Sequence, residues 1–62
     1  MTEKEIVQMF YEGYSIKKLV KIVLHEDKVR KNFKSEMLTR HEALFIIESA
    51  IIESLKKEHK QN

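Results

Sequence analysis

The apolar residues between Thr39 and Lys57 repeat with the period of an α-helix and occupy more than one side of it. At about 100° per residue, most of them form one broad stripe. Its members are Ala43, Leu44, Ile46, Ile47, Ala50, Ile51 and Leu55. Phe45 and Ile52 lie on roughly the opposite side. Because a helix that is apolar on two sides is buried on two sides, we expect one face to pack on its own domain and the other on a second subunit.

Two capping boxes predict where helices begin. Thr39 is followed three residues later by Glu42, and Thr2 is followed in the same way by Glu5. In this motif the hydroxyl accepts a hydrogen bond from one otherwise unpaired backbone amide, and the carboxylate accepts one from the amide of the capping residue. The helices predicted from these starts cover about residues 3–12 and 40–57.

A second helix is predicted directly after the first. Gly13 is the only glycine of the chain and stands where the first apolar pattern stops. Glycine there is typical of a helix end, because it adopts the left-handed conformation without a steric cost. Ser15 is a favourable N-cap for the next helix, which is predicted over about residues 16–25. The apolar face of that helix consists of Ile16, Leu19, Val20 and Val23.

The apolar pattern of the second helix breaks at residues 25–27. Continued as one helix, the chain would place three basic side chains on or beside the apolar stripe. These are Arg30, Lys31 and Lys34. We therefore expect a bend or turn at residues 25–27, with Asp27 as the N-cap of a short third helix over about residues 28–35.

Length and composition limit the possible folds. The chain has 62 residues, enough for one domain, with no cysteine, no proline and one glycine. Disulfides are excluded, and a β fold with many turns is disfavoured. Because a domain this small is marginally stable alone, it gains from a partner or from good helix packing. The expected fold is all-α, a compact domain of three to four helices with a longer C-terminal helix, forming a homodimer.

Patterns that mark enzymes, cofactor sites and membrane segments are missing from the sequence. His25, His41 and His59 are not spaced as metal ligands, and no glycine-rich loop could hold a phosphate group. We expect no catalytic residue, no metal and no cofactor. No apolar run is long enough to cross a bilayer, and the first residues do not resemble a signal peptide. We therefore expect a cytoplasmic protein with no membrane partner.

The charge distribution carries the functional signal of the sequence. Residues 17–34 contain seven basic and two acidic side chains, whereas acidic residues outnumber basic ones on either side. Such a cluster suggests a polyanionic partner, and Lys, Arg and Asn side chains are common phosphate donors in nucleic-acid complexes. The candidate nucleic-acid-binding residues are Lys17, Lys18, Lys21, Lys28, Arg30, Lys31, Asn32 and Lys34.

The segment Gly13-Tyr14-Ser15-Ile16-Lys17-Lys18-Leu19 resembles the entry to the second helix of tri-helical helix-turn-helix domains. The resemblance covers about residues 3–36. It implies that residues 16–24 form the positioning helix and that residues 28–35 form the helix presented to the DNA major groove. In place of the small residue or glycine usual in the turn of that family, this chain has His25-Glu26-Asp27.

Two functions remain open from the sequence. The preferred hypothesis is a small DNA-binding regulatory or accessory protein, in which a homodimer presents two basic segments to a two-fold operator. The alternative is a non-enzymatic interaction module, an inhibitor or adaptor that docks an apolar helix face on a larger protein. In the first case the dimer interface is predicted to contain Phe45, Ser49, Ile52 and Leu55.

Overall fold

Three α-helices make up the part of the chain that the computed structural model describes, residues 1–31 and 36–60, with side chains described as far as Glu58. They are α1 (Glu3–Tyr11), α2 (Ile16–Arg30) and α3 (Arg40–Lys60). No strand occurs in these described ranges. The predicted all-helical fold and the longer C-terminal helix are confirmed.

Both predicted capping boxes are present. The Thr2 hydroxyl accepts from the Glu5 amide at 3.3 Å, and the Glu5 carboxylate accepts from the Thr2 amide at 2.9 Å. At α3 the corresponding distances between Thr39 and Glu42 are 3.1 Å and 2.8 Å. These backbone hydrogen bonds favour the charged carboxylate, so the pKa values of Glu5 and Glu42 lie below the ordinary range.

Gly13 ends the first helix, as the sequence predicts. Its φ of 109° lies in the region that only glycine occupies freely. The Tyr14 amide donates to the Met9 carbonyl at 3.1 Å, and the Gly13 amide donates to the Phe10 carbonyl at 3.1 Å. This pair of bonds is a Schellman motif, which satisfies carbonyls at the end of α1 and turns the chain into α2.

The core forms where all three helices meet, since each pair of helices is in contact. Its most completely buried large side chains are Ile6 of α1, Leu19 of α2 and Ile47 of α3. The face of α3 that contributes Ile47 therefore packs on both other helices. Tyr11 at the end of α1 donates a hydrogen bond from its hydroxyl to Glu58 at 3.3 Å, which places α1 beside the C-terminal half of α3.

The expected bend at residues 25–27 is wrong, because α2 continues through it to Arg30. Asp27 is not an N-cap but a buried residue on the core side of the helix. Its carboxylate is what allows basic residues to follow near the apolar stripe, since they pair with it. Residues 28–30 therefore belong to α2 and do not begin a separate helix, and residues 32–35 of the predicted third helix lie outside the described residues.

Candidate nucleic-acid interface

Continuation of α2 past residue 25 gathers the basic side chains of its solvent side onto one surface, which we call the basic face of α2. It consists of Lys17, Lys18, Lys21, His25 and Lys28, all of them exposed. At 100° per residue, Lys17, Lys21 and Lys28 project within about 40° of one another. From Lys17 to Lys28 the helix rises about 16 Å. The basic face therefore runs along most of the helix.

The opposite side of α2 fixes the direction of this face. Leu19, Val20 and Val23 are buried in the core and hold the helix at one rotation about its axis. The start of the helix is held by Ser15, whose hydroxyl accepts from the Lys18 amide at 3.2 Å. Because the lysines lie opposite the buried residues, they point away from the protein.

The lysines of the basic face are not neutralised by carboxylates of the described residues. Within that part of the chain, no Asp or Glu oxygen lies within ion-pair distance of the Nζ of Lys17, Lys21 or Lys28. The Lys18 Nζ lies 5.3 Å from the centre of the Tyr14 ring, a cation–π distance. Their charge is consequently available to an anionic partner.

Arg30 and Lys31 have a different arrangement, because both turn toward Asp27. Arg30 Nη2 lies 3.1 Å and Lys31 Nζ 3.3 Å from Asp27 Oδ1, while Asp27 Oδ2 accepts from the Leu38 amide at 2.9 Å. Lys31 Nζ also donates to the Glu36 carbonyl at 2.8 Å. The cluster joins the end of α2 to the segment before α3.

The Asp27 carboxylate is stabilised in its charged form within this cluster. The hydrogen bond from the Leu38 amide is the main cause that lowers the pKa of Asp27 below its ordinary value, and Lys31 and Arg30 add to it against the opposing effect of burial. Every polar atom of this buried side chain has a partner. This Asp27 cluster therefore has a structural role, in which it holds the end of α2 against the segment before α3.

The eight candidate residues from the sequence thus divide into three groups. Four lie on the basic face of α2, namely Lys17, Lys18, Lys21 and Lys28. Arg30 and Lys31 belong to the Asp27 cluster, and Asn32 and Lys34 lie outside the described residues. His25 was not among the candidates and Asp27 was expected only to cap a helix. Helical periodicity already placed His25 on the side of Lys17 and Lys21, and its extension past residue 25 would have placed Asp27 on the core side of α2.

A second exposed surface lies on α3. Phe45 is 71% exposed, and Ile52 and Leu55 are each 51% exposed. Ser49 is half-buried between them. We call these four residues the outer face of α3, since Ala43, Ile47 and the rest of the core lie on the other side of the helix. The apolar residues predicted for a dimer interface are therefore left uncovered by α1 and α2.

Comparison with known protein families, with curated proteins and with solved structures gives no match for this chain. Within the described residues, none of the helices is long and apolar enough to span a membrane. The same part of the chain contains no group of three His, Cys, Asp or Glu side chains placed to hold a metal ion.

Proposed function

We propose that the protein binds DNA through the basic face of α2. The observation that supports this proposal is the alignment of four lysines and a histidine on one exposed side of a helix, free of carboxylate partners among the described residues. Phosphate oxygens are the acceptors that such a surface fits, and contacts to them account for most non-specific affinity for DNA.

The proposed contacts are to the DNA backbone. A strand of B-DNA presents about five phosphates over the roughly 16 Å that separate Lys17 from Lys28 along the helix axis. Four lysines in contact with phosphates would give a slope of log affinity against log salt of about −3 to −4 for one copy. Because lysine ammonium groups at phosphates carry no base information, binding by this face is expected to be tolerant of sequence.

As a second part of the proposal, the protein acts as a homodimeric regulatory or accessory factor in the cytoplasm. The helix-turn-helix-like character stays a prediction, with α2 taking the place of the helix that meets DNA. A contact of Arg30 with DNA is less favourable than one of the α2 lysines, since its guanidinium is engaged by Asp27. The exposed apolar residues on α3 support self-association.

A salt titration with matched variants tests the proposal. Labelled duplexes of several sequences are titrated at a series of salt concentrations with the wild type, Lys21→Ala and Lys28→Ala, and with Lys4→Ala as a control on the exposed side of α1. We expect each α2 variant to lose affinity by about the same factor for every duplex, and its slope of log affinity against log salt to fall by about one unit. The control should bind as the wild type does. Equal losses for Lys4→Ala and Lys21→Ala would refute a defined interface.

Absence of wild-type binding to any duplex at low salt would reject the DNA proposal and leave the interaction module as the working hypothesis. The observation that favours that module is again the outer face of α3, whose Phe45 is 71% exposed. In that case a larger protein would cover this face, and the basic face of α2 would serve only solubility.

A further inference from the structure

The outer face of α3 exposes an apolar patch that is large enough for a weak contact and too small for a permanent interface. Phe45, Ile52 and Leu55 expose about 350 Å² together, if a large apolar side chain has a total area near 200 Å². With flanking polar side chains, an α3–α3 contact would cover about 500–600 Å² on each copy, less than the roughly 800 Å² per partner of standard stable interfaces. This area fits a weak, concentration-dependent dimer.

Charges beside the apolar residues select the orientation of such a pair. Glu42, Ser49 and Lys56 are spaced by seven residues and therefore lie along one edge of the outer face. In an antiparallel pair centred on Ser49, Glu42 of each copy lies opposite Lys56 of the other. In a parallel pair, the two-fold symmetry would place these edges on opposite sides of the contact, so that Glu42 of one copy would not meet Lys56 of the other.

The apolar residues fit the same antiparallel register. Around a centre at Ser49, Phe45 of one copy lies within about one residue, roughly 1.5 Å along the axis, of Ile52 of the other. The small Ser49 side chain at the centre allows the two helices to approach closely. Glu48, on the other edge, comes near Glu48 of the second copy in this antiparallel register, which is repulsive. One such contact is outnumbered by the two Glu42–Lys56 pairs.

From these features we infer that the outer face of α3 binds a second copy of this chain in antiparallel orientation about Ser49. The pair places both basic faces of α2 on the same side of the dimer. This common placement of the basic faces follows from symmetry, and its functional meaning rests on the proposed DNA-binding role. The two-fold axis of an antiparallel pair is perpendicular to the plane that contains the two α3 axes. Rotation about this axis keeps each feature on the same side of that plane. A parallel pair, with its axis along α3, would send the two basic faces to opposite sides.

The fold places α2 where this symmetry matters. Because each of the three helices contacts the other two, their outward directions differ by about 120°, as in any triangular bundle. The basic face of α2 therefore points sideways from the α3–α3 contact. In the antiparallel pair the two basic faces point to the same side of the dimer, about 60° apart, so that a single duplex on that side could contact both.

Disulfide trapping tests the orientation, since the chain has no cysteine of its own. Full-length Ser49→Cys, Glu42→Cys and Lys56→Cys are oxidised mildly, alone and as an equimolar mixture of the last two, and the products are separated by mass. We expect Ser49→Cys to form a covalent dimer and the mixture to give the mixed dimer. Glu42→Cys and Lys56→Cys alone should stay mainly reduced, as should Lys4→Cys on α1 as the control for random collision.

The outcomes of the trapping experiment separate the possibilities. Efficient dimers from Glu42→Cys alone, with no preference for the mixed product, would exclude the antiparallel register about Ser49 and overturn the inference. No dimer from Ser49→Cys, together with a monomeric wild type in sedimentation at high concentration, would also overturn it and mean that any occupant of the face is a different protein. Because Glu42 also belongs to the helix cap, circular dichroism of each variant shows whether α3 is intact.

The covalent Ser49→Cys dimer then tests the common basic surface. On one duplex of about 20 base pairs we expect its salt slope to be about twice that of a monomeric Phe45→Glu variant, with an affinity at least 100-fold higher. A slope equal to that of the monomer would overturn the shared surface while leaving DNA binding intact. A trapped antiparallel dimer that binds no DNA would reject the proposed function while leaving the dimer geometry intact.

Discussion

The solvent sides of α2 and α3 differ although both helices pack on the same core. On α2 the side opposite Leu19 and Val23 carries lysines and a histidine, whereas on α3 the side opposite Ile47 carries Phe45 and Ile52. A helix needs only one apolar face to pack on its core, so the residues on its exposed face can serve a purpose other than folding. The comparison shows that the exposed side of α2 is basic and that the exposed side of α3 is apolar, so the two surfaces suit partners of different chemistry.

Stability alone explains neither face. Lys17 and Lys18 lie in the first turn of α2, which has no acidic residue, so their charges oppose the positive end of the helix dipole. Phe45 exposes 71% of its surface to water, where a polar residue would cost nothing to folding. Both faces thus carry residues that the fold itself does not require, so that each face can be changed while the other is kept.

The largest expected effect is the loss of DNA affinity on reversing two charges of the basic face. Lys21→Glu/Lys28→Glu should weaken binding at least 100-fold at about 0.1 M salt, since each lost phosphate contact costs roughly tenfold there. The control Lys4→Glu/Lys57→Glu changes the net charge equally, from +2 to −2, on exposed positions of α1 and α3. Fluorescence anisotropy with a labelled duplex measures both, and equal losses would show that only net charge matters.

The next effect concerns the other face. Phe45→Glu should weaken self-association at least tenfold, because a charge would enter the apolar contact without a partner, while the helices stay folded. The matched control is Val29→Glu, which removes an apolar side chain that is 58% exposed on α2. Sedimentation equilibrium of both variants distinguishes a specific interface on α3 from non-specific hydrophobic association. Non-specific association would be weakened to a similar extent by the two substitutions.

A smaller effect, on thermal stability, is expected at Asp27, which joins the end of α2 to the segment before α3. Asp27→Asn removes the ion pairs with Arg30 and Lys31 and should lower Tm by on the order of 5–10 °C. Glu48→Gln, a substitution of an exposed carboxylate on α3, is the control and should leave Tm nearly unchanged. A similar Tm for the two variants would contradict the stabilising role assigned to the Asp27 cluster.

The same variant has a consequence for acid stability. The pKa of Asp27 is lowered in the folded protein, so the unfolded chain binds more protons as the pH falls through the ordinary range near 4. The stabilisation from Asp27 is therefore present above that range and is lost as the pH falls toward the lowered folded pKa. Thermal melts between pH 2 and pH 7 should show a shallower acid loss for Asp27→Asn, with the remainder due to Glu5 and Glu42, whose pKa values are also lowered.

Much of the fold was predictable because its signals are local. The capping boxes at Thr2 and Thr39 and the stop at Gly13 depend on residues within a few positions of one another, and all three are confirmed. The apolar period of α3 predicted that Phe45 and Ile52 lie away from the core, and both are exposed. A short-range rule is sufficient wherever the backbone hydrogen bonds are made within one turn.

The error at residues 25–27 arose because the decisive contact is not local. Asp27 is polar, so the pattern suggested an end to the buried stripe, but its carboxylate is satisfied by the Leu38 amide eleven residues later. That contact, together with the ion pairs to Arg30 and Lys31, makes a buried Asp compatible with a continuous helix. The basic face was identified residue by residue from composition, whereas its extension to Lys28 on one surface required the helix to be unbroken.

The smallest expected effect compares the two ends of the basic face itself. Lys17 lies in the first turn of α2 and Lys28 in the last, where the helix dipole has opposite signs. Lys17→Glu should stabilise the protein by about 0.3–1 kcal/mol, helped by a new pair with Lys21 one turn later, and Lys28→Glu should destabilise it by a similar amount. If both lysines contact phosphate, the two variants should nevertheless lose DNA affinity about equally. Urea denaturation and duplex titration of the same two samples give both quantities, and affinity that followed stability would mean that these lysines act on DNA only through the folding of α2.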